Sequence, residues 1–235
     1  MILFDGRGIL LDVEGTTSSI SFVYDVLFGF ARDHVDGFLA AHEADPVVRL
    51  LATDIRTEAG VASDDAAGWP AATATAARAL MDRDSKCTPL KMLQGMVWRR
   101  GFESGALVAH VFDDVPAALE HWATSGLDVR IYSSGSVEAQ RLFFGHSAHG
   151  DLTPWLRGHY DTTTGPKRDA ESYRRIATDM GLEPRQILFI SDVGEELDAA
   201  RGAGMATALA ERPGNRPAGG VGDHDPIASF AEVVI

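Results

Sequence analysis

An acidic residue ends an apolar run near the start of the chain, within the segment Ile9–Thr17 (ILLDVEGTT). The apolar residues predict a short buried strand that stops at Asp12 and is followed by a turn containing Gly15. Open α/β folds bind ligands at the carboxyl edge of a parallel sheet, where such a turn presents its carboxylate. Asp12 and Glu14 point the same way if the strand continues through them. A buried strand with a solvated turn explains this segment equally well, because short D-x-E-G strings arise by accident.

Two later strands also end in polar groups. The predicted strand Leu127–Tyr132 is followed by Ser133 and Ser134, and the apolar run at 186–190 is followed by Ser191 and Asp192. The ends of parallel strands lie on one edge of a sheet, so these residues converge with Asp12. The other candidates for this edge are Lys167, within GPKRD, and Glu196.

This set of side chains is suited to phosphoryl transfer. Carboxylates that share an edge repel each other unless a cation neutralises them, and oxygen ligands without His or Cys favour Mg²⁺. Lys167 and the serine hydroxyls could hold a phosphate, with further support from backbone N–H groups in the turn at 13–15. Asp12 could then attack phosphorus, while Glu14 protonates the leaving oxygen and later deprotonates water.

Each residue also has a structural explanation that needs no function. Asp192 could cap a helix, Ser133 and Ser134 could be turn residues, and Lys167 could be solvated. Glu196 suits a helix N-terminus on dipole grounds. The order of acid, hydroxyl, lysine and acid along the chain favours a joint site, because accident explains each residue more easily than all of them.

The predicted elements divide the chain into a sheet region and a helical insert. Strands alternate with helices from about Val111, which predicts an α/β fold with a doubly wound parallel sheet. Residues 1–20 and 106–235 form this core, and residues 21–105 show helical periodicity with proline at predicted helix starts. The Gly- and Pro-rich stretch 212–225 is predicted to be a loop, and the final residues 233–235 a short strand.

Composition excludes several classes of function. The chain has 235 residues with a formal net charge of −13, which argues against nucleic acid as a partner. Its single cysteine, Cys87, allows neither an intrachain disulfide nor a cysteine-based zinc site. Apolar runs are too short to cross a membrane, and the first residues lack a secretory pattern, so we expect a cytoplasmic protein.

The ordered motifs resemble those of the haloacid dehalogenase superfamily of phosphotransferases, which are Asp12 with Glu14, then Ser133, Lys167 and Asp192. More narrowly, the chain resembles the enolase-phosphatase (acireductone synthase) family of methionine salvage. This resemblance rests on LLDVEGTTSSISFVYDVLF (10–28), LKMLQGMVW (90–98), IYSSGSVEAQRLFF (131–144), ILFISDVGEELDAA (187–200) and ERPGN (211–215). Glu14 replaces the usual second aspartate of the superfamily's first motif, and this glutamate is characteristic of the narrower family.

The resemblance implies a Rossmannoid core, a helical cap domain at 21–105 and one Mg²⁺ per subunit. Asp12 and Asp192 would bind the metal through carboxylates, and Glu14 would bind it too, through either its side chain or its backbone carbonyl. Ser133, Ser134 and Lys167 would hold the substrate phosphate. Glu196 is a lower-ranked candidate, as are Lys91 and Gln94, which would be the cap's contribution. A monomer is also implied.

The implied activity is a bifunctional one. The enzyme would enolise 5-(methylthio)-2,3-dioxopentyl phosphate and then remove its phosphate, giving 1,2-dihydroxy-5-(methylthio)pent-1-en-3-one. The base for enolisation is left open between Glu14 and a cap residue. Two alternatives also stay open at this point: a phosphatase of the same superfamily for another small phosphate ester, and a phosphate-sensing protein without turnover.

Overall fold

A parallel sheet organises the computed structural model, which describes residues 1–61, 68–215 and 223–235. Its strands are β1 (Ile2–Leu3), β2 (Gly8–Leu11), β3 (Asp128–Tyr132), β4 (Gly158–Tyr160), β5 (Ile187–Ser191), β6 (Ala206–Ala210), β7 (Asp225–Ile227) and β8 (Val233–Val234). Six of them form one sheet in the order β4-β3-β2-β5-β6-β7, and every pairing is parallel. The α/β fold with a parallel sheet is therefore confirmed.

The central strands are apolar because both faces of the sheet are covered. Every residue of β2 and β5 is buried. Parallel sheets covered on both sides are built from such continuous apolar runs. One core cluster joins Leu10 of β2 and Phe189 of β5 to Tyr132, Tyr173 and Leu197.

Helices follow the strands in alternation. They are α5 (Val115–Thr124), α6 (Val137–Gly145), α7 (Ala170–Met180) and α8 (Gly194–Gly202). Short 3₁₀ turns lie at Thr153–Trp155, Pro184–Gln186 and Phe230–Glu232. α7 shows how the sequence defines its ends: the Asp169 side chain accepts from the Glu171 amide at 3.0 Å, and Gly181 closes the helix with a φ of +66°.

The described residues divide into two compact units. One comprises Met1–Val23 and Val108–Ile235, and the other comprises Tyr24–Leu107. The sequence predicts these boundaries at 20/21 and 105/106, two to three residues earlier.

The second unit contains helices and no strand among its described residues. A π-helix at Phe22–Phe28 leads into it and continues as α1 (Gly29–Ala41), followed by α2 (Pro46–Glu58), α3 (Trp69–Asp82) and α4 (Thr88–Glu103). Asp45 caps α2 by accepting from the Val47 amide at 2.8 Å, ahead of Pro46 in the first turn. Across the described residues, we find no helix with the length and apolar character needed to span a bilayer.

The helical unit brings its own beginning and end together. A Cβ on Gly101 of α4 would lie 2.6 Å from the Phe30 ring and 2.8 Å from the Leu107 side chain. Phe30 lies at the start of α1, and Leu107 is the last residue of the unit. Glycine is therefore required where the two ends meet against α4.

One strand, β7, differs from the sequence-based expectation. β7 begins at Asp225, the last residue of the predicted loop, and pairs with β6. The loop was predicted from the Gly and Pro content of 212–225, but proline, here Pro226, is tolerated in an edge strand. Residues 216–222 of that loop lie outside the described residues. The C-terminal strand forms as predicted, and β8 pairs with β1 in a separate two-stranded sheet.

Candidate active site

Four neighbouring strands deliver the predicted site residues to one edge of the sheet. Asp12 follows β2, Ser133 follows β3 and Asp192 follows β5 directly. Lys167 lies in the segment between β4 and α7. Because these strands are adjacent in the order β4-β3-β2-β5, residues separated by up to 180 positions (12 to 192) lie together. We call Asp12, Glu14, Asp192 and Glu196 the acidic cluster.

Lys167 is paired with this cluster. Its Nζ lies 2.5 Å from Asp12 Oδ1 and 2.6 Å from Glu196 Oε2. Burial by itself would lower the pKa of Lys167, but the two carboxylates outweigh that effect and raise it. The lysine is therefore a fixed positive charge at neutral pH.

Two tyrosines position the Lys167 segment. Tyr132 donates its hydroxyl to the Gly165 carbonyl at 2.8 Å, and Tyr173 donates to the Lys167 carbonyl at 2.7 Å. The ammonium also lies 5.8 Å from the centre of the Tyr132 ring, within cation–π range. Both tyrosines are buried in the core, so the position of Lys167 depends on core packing.

The turn after Asp12 connects both ends of the acidic cluster. Thr16 donates its hydroxyl to Asp12 Oδ2 at 3.3 Å and accepts from the Asp192 amide at 3.1 Å. Gly15 has a φ of +75°, and a Cβ there would lie 2.3 Å from Asp192 Oδ2. The turn therefore requires glycine for both its backbone conformation and its close approach to a carboxylate.

The acidic cluster carries more negative charge than one lysine neutralises. Burial, followed by repulsion from Asp12, raises the pKa of Glu196 to about 7. Burial and then repulsion from Asp12 and Glu196 raise the pKa of Asp192 to about 7. The pKa of Glu14 is also raised, by burial and by Asp12. Such shifts are common where chemistry occurs, and here they indicate a site that favours an added cation.

The donor set fits Mg²⁺. Asp192 Oδ1 is buried and has no hydrogen-bond partner in the part of the chain that the structure describes. Within those same residues, no group of three or more His, Cys, Asp or Glu side chains is placed to hold a metal. Mg²⁺ does not need such a cage, since it is commonly held by one or two carboxylates together with water and substrate phosphate. Asp12 and Asp192 could supply those two carboxylates.

Ser133 and Ser134 lie in the loop after β3, on the other side of Asp12. Ser133 is buried, donates to Glu14 Oε2 at 3.4 Å and accepts from the Gly135 amide at 3.2 Å. Ser134 is exposed. This loop offers hydroxyl and amide donors next to Glu14, an arrangement that suits a phosphate.

The two candidates from the helical unit lie one turn apart on α4. Gln94 is buried and Lys91 is half-buried. Both belong to Tyr24–Leu107, so their contribution to a site stays a prediction.

Three residues that build or hold the turn were not among the sequence-based candidates. Thr16 lies in the turn and bonds to both Asp12 and Asp192. From outside the turn, Arg212 Nε donates to the Thr16 carbonyl at 3.0 Å, and Asn215 Nδ2 donates to the Gly15 carbonyl at 2.8 Å. ERPGN, which contains Arg212 and Asn215, carried part of the family resemblance without an assigned role. Its presence among the resembling segments was the sequence signal that could have indicated Arg212 and Asn215.

Fold and site together define the class of protein. A sequence model of the haloacid dehalogenase-like hydrolases matches residues 6–204. The chain is 47% identical over 229 residues to an enolase-phosphatase E1 of Pseudomonas aeruginosa, covering 97% of this chain and 98% of that protein. A second enolase-phosphatase E1, from Synechococcus elongatus, is 47% identical over 230 residues, with 96% of each chain covered.

A solved structure agrees with this family assignment. The UTR4 protein of Saccharomyces cerevisiae superposes with a TM-score of 0.81 at 34% identity, over 95% of this chain and 97% of that one. The chain belongs to the enolase-phosphatase E1 family of haloacid dehalogenase-like hydrolases.

Proposed function

We propose that this enzyme is a Mg²⁺-dependent bifunctional enolase-phosphatase of L-methionine salvage. It converts 5-(methylthio)-2,3-dioxopentyl phosphate to 1,2-dihydroxy-5-(methylthio)pent-1-en-3-one and phosphate. The observation that carries the proposal is the buried Asp12 carboxylate, which lies 2.5 Å from Lys167 Nζ among further carboxylates of raised pKa. The relatives' name, enolase-phosphatase E1, supports the two-step activity.

Lys167, Ser133 and Ser134 are assigned to the substrate phosphate. Lys167 provides the permanent charge, and the serine loop provides neutral donors on the side of Glu14. Asp12, Asp192 and Glu14 are assigned to one Mg²⁺, with Glu14 using its side chain or its carbonyl. When bound, Mg²⁺ supplies Lewis-acid stabilisation of charge on phosphate and enolate oxygens.

Asp12 is assigned as the nucleophile. One Asp12 carboxylate oxygen forms a bond to phosphorus while the bond between phosphorus and the substrate oxygen breaks, and Glu14 protonates that departing oxygen. Glu14 then takes a proton from water, whose oxygen attacks phosphorus and releases the Asp12 carboxylate and inorganic phosphate. Burial, followed by repulsion from Asp12, raises the pKa of Glu14, which is the direction that favours a general acid.

Enolisation requires a base next to the substrate carbonyl. Glu14 is one candidate, and a residue of the helical unit is the other, with Lys91 and Gln94 on α4 as the residues to examine. We propose that residues 21–105 act as a cap over the core at 1–20 and 106–235. A cap that excludes water would protect the reactive enol. Glu196 is assigned to holding Lys167, given their 2.6 Å contact.

The decisive experiment follows two products at once. The purified protein is incubated with the diketone phosphate and Mg²⁺ while phosphate and enol absorbance are recorded. We expect both signals, with the enol signal no later than phosphate. Phosphate release without an enol would reduce the activity to a plain phosphatase, and preference for a sugar phosphate in a substrate panel would reassign the substrate.

Asp12→Asn is the matched variant for this experiment. We expect it to abolish phosphate release while far-ultraviolet circular dichroism shows an unchanged fold. A folded variant that keeps its activity would remove Asp12 as the nucleophile, and a folded wild type without turnover would favour a phosphate-sensing protein.

We also propose a cytoplasmic monomer that acts on a small phosphorylated molecule. The single cysteine and the net charge of −13 support a reducing compartment and argue against nucleic acid. Light scattering tests the monomer, which has a mass of 25.2 kDa.

A further inference from the structure

The segment after β6 contacts the turn that follows the proposed nucleophile. Asn215 Nδ2 donates to the Gly15 carbonyl at 2.8 Å, and Arg212 Nε donates to the Thr16 carbonyl at 3.0 Å. Two consecutive carbonyls are thus held from a segment about 200 residues away in sequence. We call Arg212 and Asn215, with these two bonds, the turn clamp.

The carbonyls held by the turn clamp belong to the residues that orient the carboxylates. The Thr16 hydroxyl bonds to Asp12 Oδ2 and to the Asp192 amide. Gly15 approaches Asp192 so closely that no side chain fits between them. A rotation of this short backbone segment would therefore move Asp12 and Asp192 relative to each other.

Arg212 is itself rigidly held. Its guanidinium bonds to both carboxylate oxygens of Asp114, at 3.0 and 2.8 Å, and to the Ala228 carbonyl at 3.0 Å. It lies 4.8 Å from the centre of the Phe112 ring and 4.3 Å from that of Phe230. Nη1 makes all three of these bonds, and Nη2 is buried without a hydrogen-bond partner among the described residues. The guanidinium is therefore held through Nε, Nη1 and the two aromatic rings.

Asp114 is anchored as well. It accepts from the Ser229 hydroxyl at 2.9 Å and from the Phe230 amide at 2.6 Å. The anchor therefore reaches from Asp114, just before α5, and from the C-terminal 3₁₀ turn through Arg212 to the Thr16 carbonyl. No member of this chain of contacts belongs to the acidic cluster.

We propose that Arg212 and Asn215 are positioning residues, which fix the Gly15–Thr16 backbone and so set the relative orientation of the Asp12 and Asp192 carboxylates for Mg²⁺ and phosphate. This inference rests on the proposed function, since it takes those carboxylates as the metal and phosphoryl ligands. It assigns the 211–215 segment a role in the geometry of the site and no contact with substrate.

Asn215→Ala and Arg212→Lys are the test variants. Asn215→Ala removes a neutral donor from the Gly15 carbonyl, and Arg212→Lys keeps the charge but loses the forked donors. Arg130→Lys is the matched control, because Arg130 is also largely buried and bonds to both oxygens of an aspartate, Asp128. Its other partners are Tyr160 and Asp179, which lie outside the turn.

The measurements use p-nitrophenyl phosphate as a general phosphate ester and calorimetric titration with Mg²⁺ alone. We expect both turn-clamp variants to lose about tenfold in kcat, with a smaller change in KM, because small misplacements of reacting groups are costly. The dissociation constant for Mg²⁺ should rise severalfold in the absence of substrate. Arg130→Lys should lower the unfolding midpoint and leave kcat and Mg²⁺ affinity within twofold of wild type.

The inference is overturned if the folded Asn215→Ala protein keeps both wild-type kcat and wild-type Mg²⁺ affinity. It is also overturned if Arg130→Lys lowers both quantities as much as the turn-clamp variants do. Should Arg212→Lys fail to fold, Asn215→Ala decides alone. A wild type that is inactive on the diketone, with the variants behaving as expected on both probes, overturns the proposed function and supports the positioning role.

Discussion

The two ends of β3 carry charged clusters that are built in opposite ways. Arg130, in the middle of the strand, bonds to Asp128 at the amino end and to Asp179, at 2.9 and 2.7 Å, and to the Tyr160 hydroxyl. Beyond its carboxyl end, the acidic cluster surrounds Lys167. The hydrogen bond from Tyr160 and the charge of Arg130 lower the pKa of Asp179, whereas burial and repulsion from Asp12 raise the pKa of Asp192 and Glu196.

These opposite pKa shifts distinguish a cluster that stabilises the fold from a cluster that is suited to binding a cation. The Arg130 cluster has matched donors and acceptors and needs nothing further. The acidic cluster holds buried carboxylates in excess of its lysine, an arrangement that costs stability unless a cation arrives. Surplus buried charge, next to a carboxylate oxygen of Asp192 that has no hydrogen-bond partner among the described residues, is therefore the physical signature of the site.

The largest expected effect comes from Lys167→Met. It leaves Asp12 and Glu196 buried without their cation, so phosphate release should fall by about 10²–10³-fold. Stability at pH 7 should fall by about 3 kcal/mol. The stability deficit should shrink at pH 5, where Glu196, whose pKa is raised to about 7, takes up a proton. Steady-state kinetics measures the loss of phosphate release, and urea unfolding at pH 5 and pH 7 measures the loss of stability.

Lys86→Met is the control for that variant. Lys86 pairs with Asp84 at 2.5 Å, but both side chains are exposed. Such a pair contributes about 0.5 kcal/mol. A loss of stability as large as that of Lys167→Met would contradict the distinction between the two kinds of pair.

Gly15→Ala tests the geometry of the acidic cluster without changing its charge. The methyl group would strike Asp192, and the left-handed backbone adds about 1–2 kcal/mol. We expect activity to fall about 100-fold, as for small displacements of reacting groups. In Gly126→Ala the φ is +90° but the space is open, so activity should persist despite a similar backbone cost.

The pH dependence of stability should differ between the clusters. The folded pKa of Asp192 and Glu196 is about 7, above the ordinary values of 3.8 and 4.5, so the folded protein binds more protons between about pH 4 and 7. Stability of the Mg²⁺-free protein should therefore decline as pH rises through that range. We expect the midpoint of thermal unfolding to fall by about 5 °C.

Calorimetry from pH 4.5 to 7.5 measures this trend with and without Mg²⁺. Saturating Mg²⁺ should remove it, because the ion favours the ionised carboxylates. Glu196→Gln should flatten the Mg²⁺-free curve. Stability that rises with pH across this window would mean that the acidic cluster is not strained.

The smallest effect is expected from Asp179→Asn. Its lowered pKa provides stability above the unfolded pKa, and this stability is lost as pH falls through the folded pKa. Because the Asp179 side chain is mostly exposed, the cost at pH 7 should stay below about 1 kcal/mol. Activity should be unchanged, and a fall in kcat would link this end of β3 to the site.

Site residues at strand ends could be predicted from the sequence because their signal is local. Asp12, Ser133 and Asp192 each follow an apolar run directly, and parallel pairing brings such positions together. Lys167 carries no such signal. Lys167 was predicted from the order of the motifs along the chain and from the family resemblance. The structure places its Nζ 2.5 Å from Asp12 Oδ1.

The turn clamp could not be predicted, because its contacts are purely tertiary. Arg212 reads as part of a Gly- and Pro-rich loop, yet it is buried between Phe112 and Phe230. Nothing in the local sequence pairs it with Asp114, almost 100 residues earlier. The β7 strand was missed for the opposite reason, since its first residue lies in a Gly- and Pro-rich stretch, which is a misleading local signal.

The meeting of Phe30, Gly101 and Leu107 within the helical unit has a consequence for the order of folding. β2 and β3 pair directly, although the whole helical unit separates them along the chain. Closing a loop costs more entropy as the loop lengthens. A helical unit that folds first joins its own ends and shortens the effective loop, so its local helix contacts would accelerate pairing of the two central strands. Gly101, which lies outside the acidic cluster, would then influence how fast the catalytic edge forms.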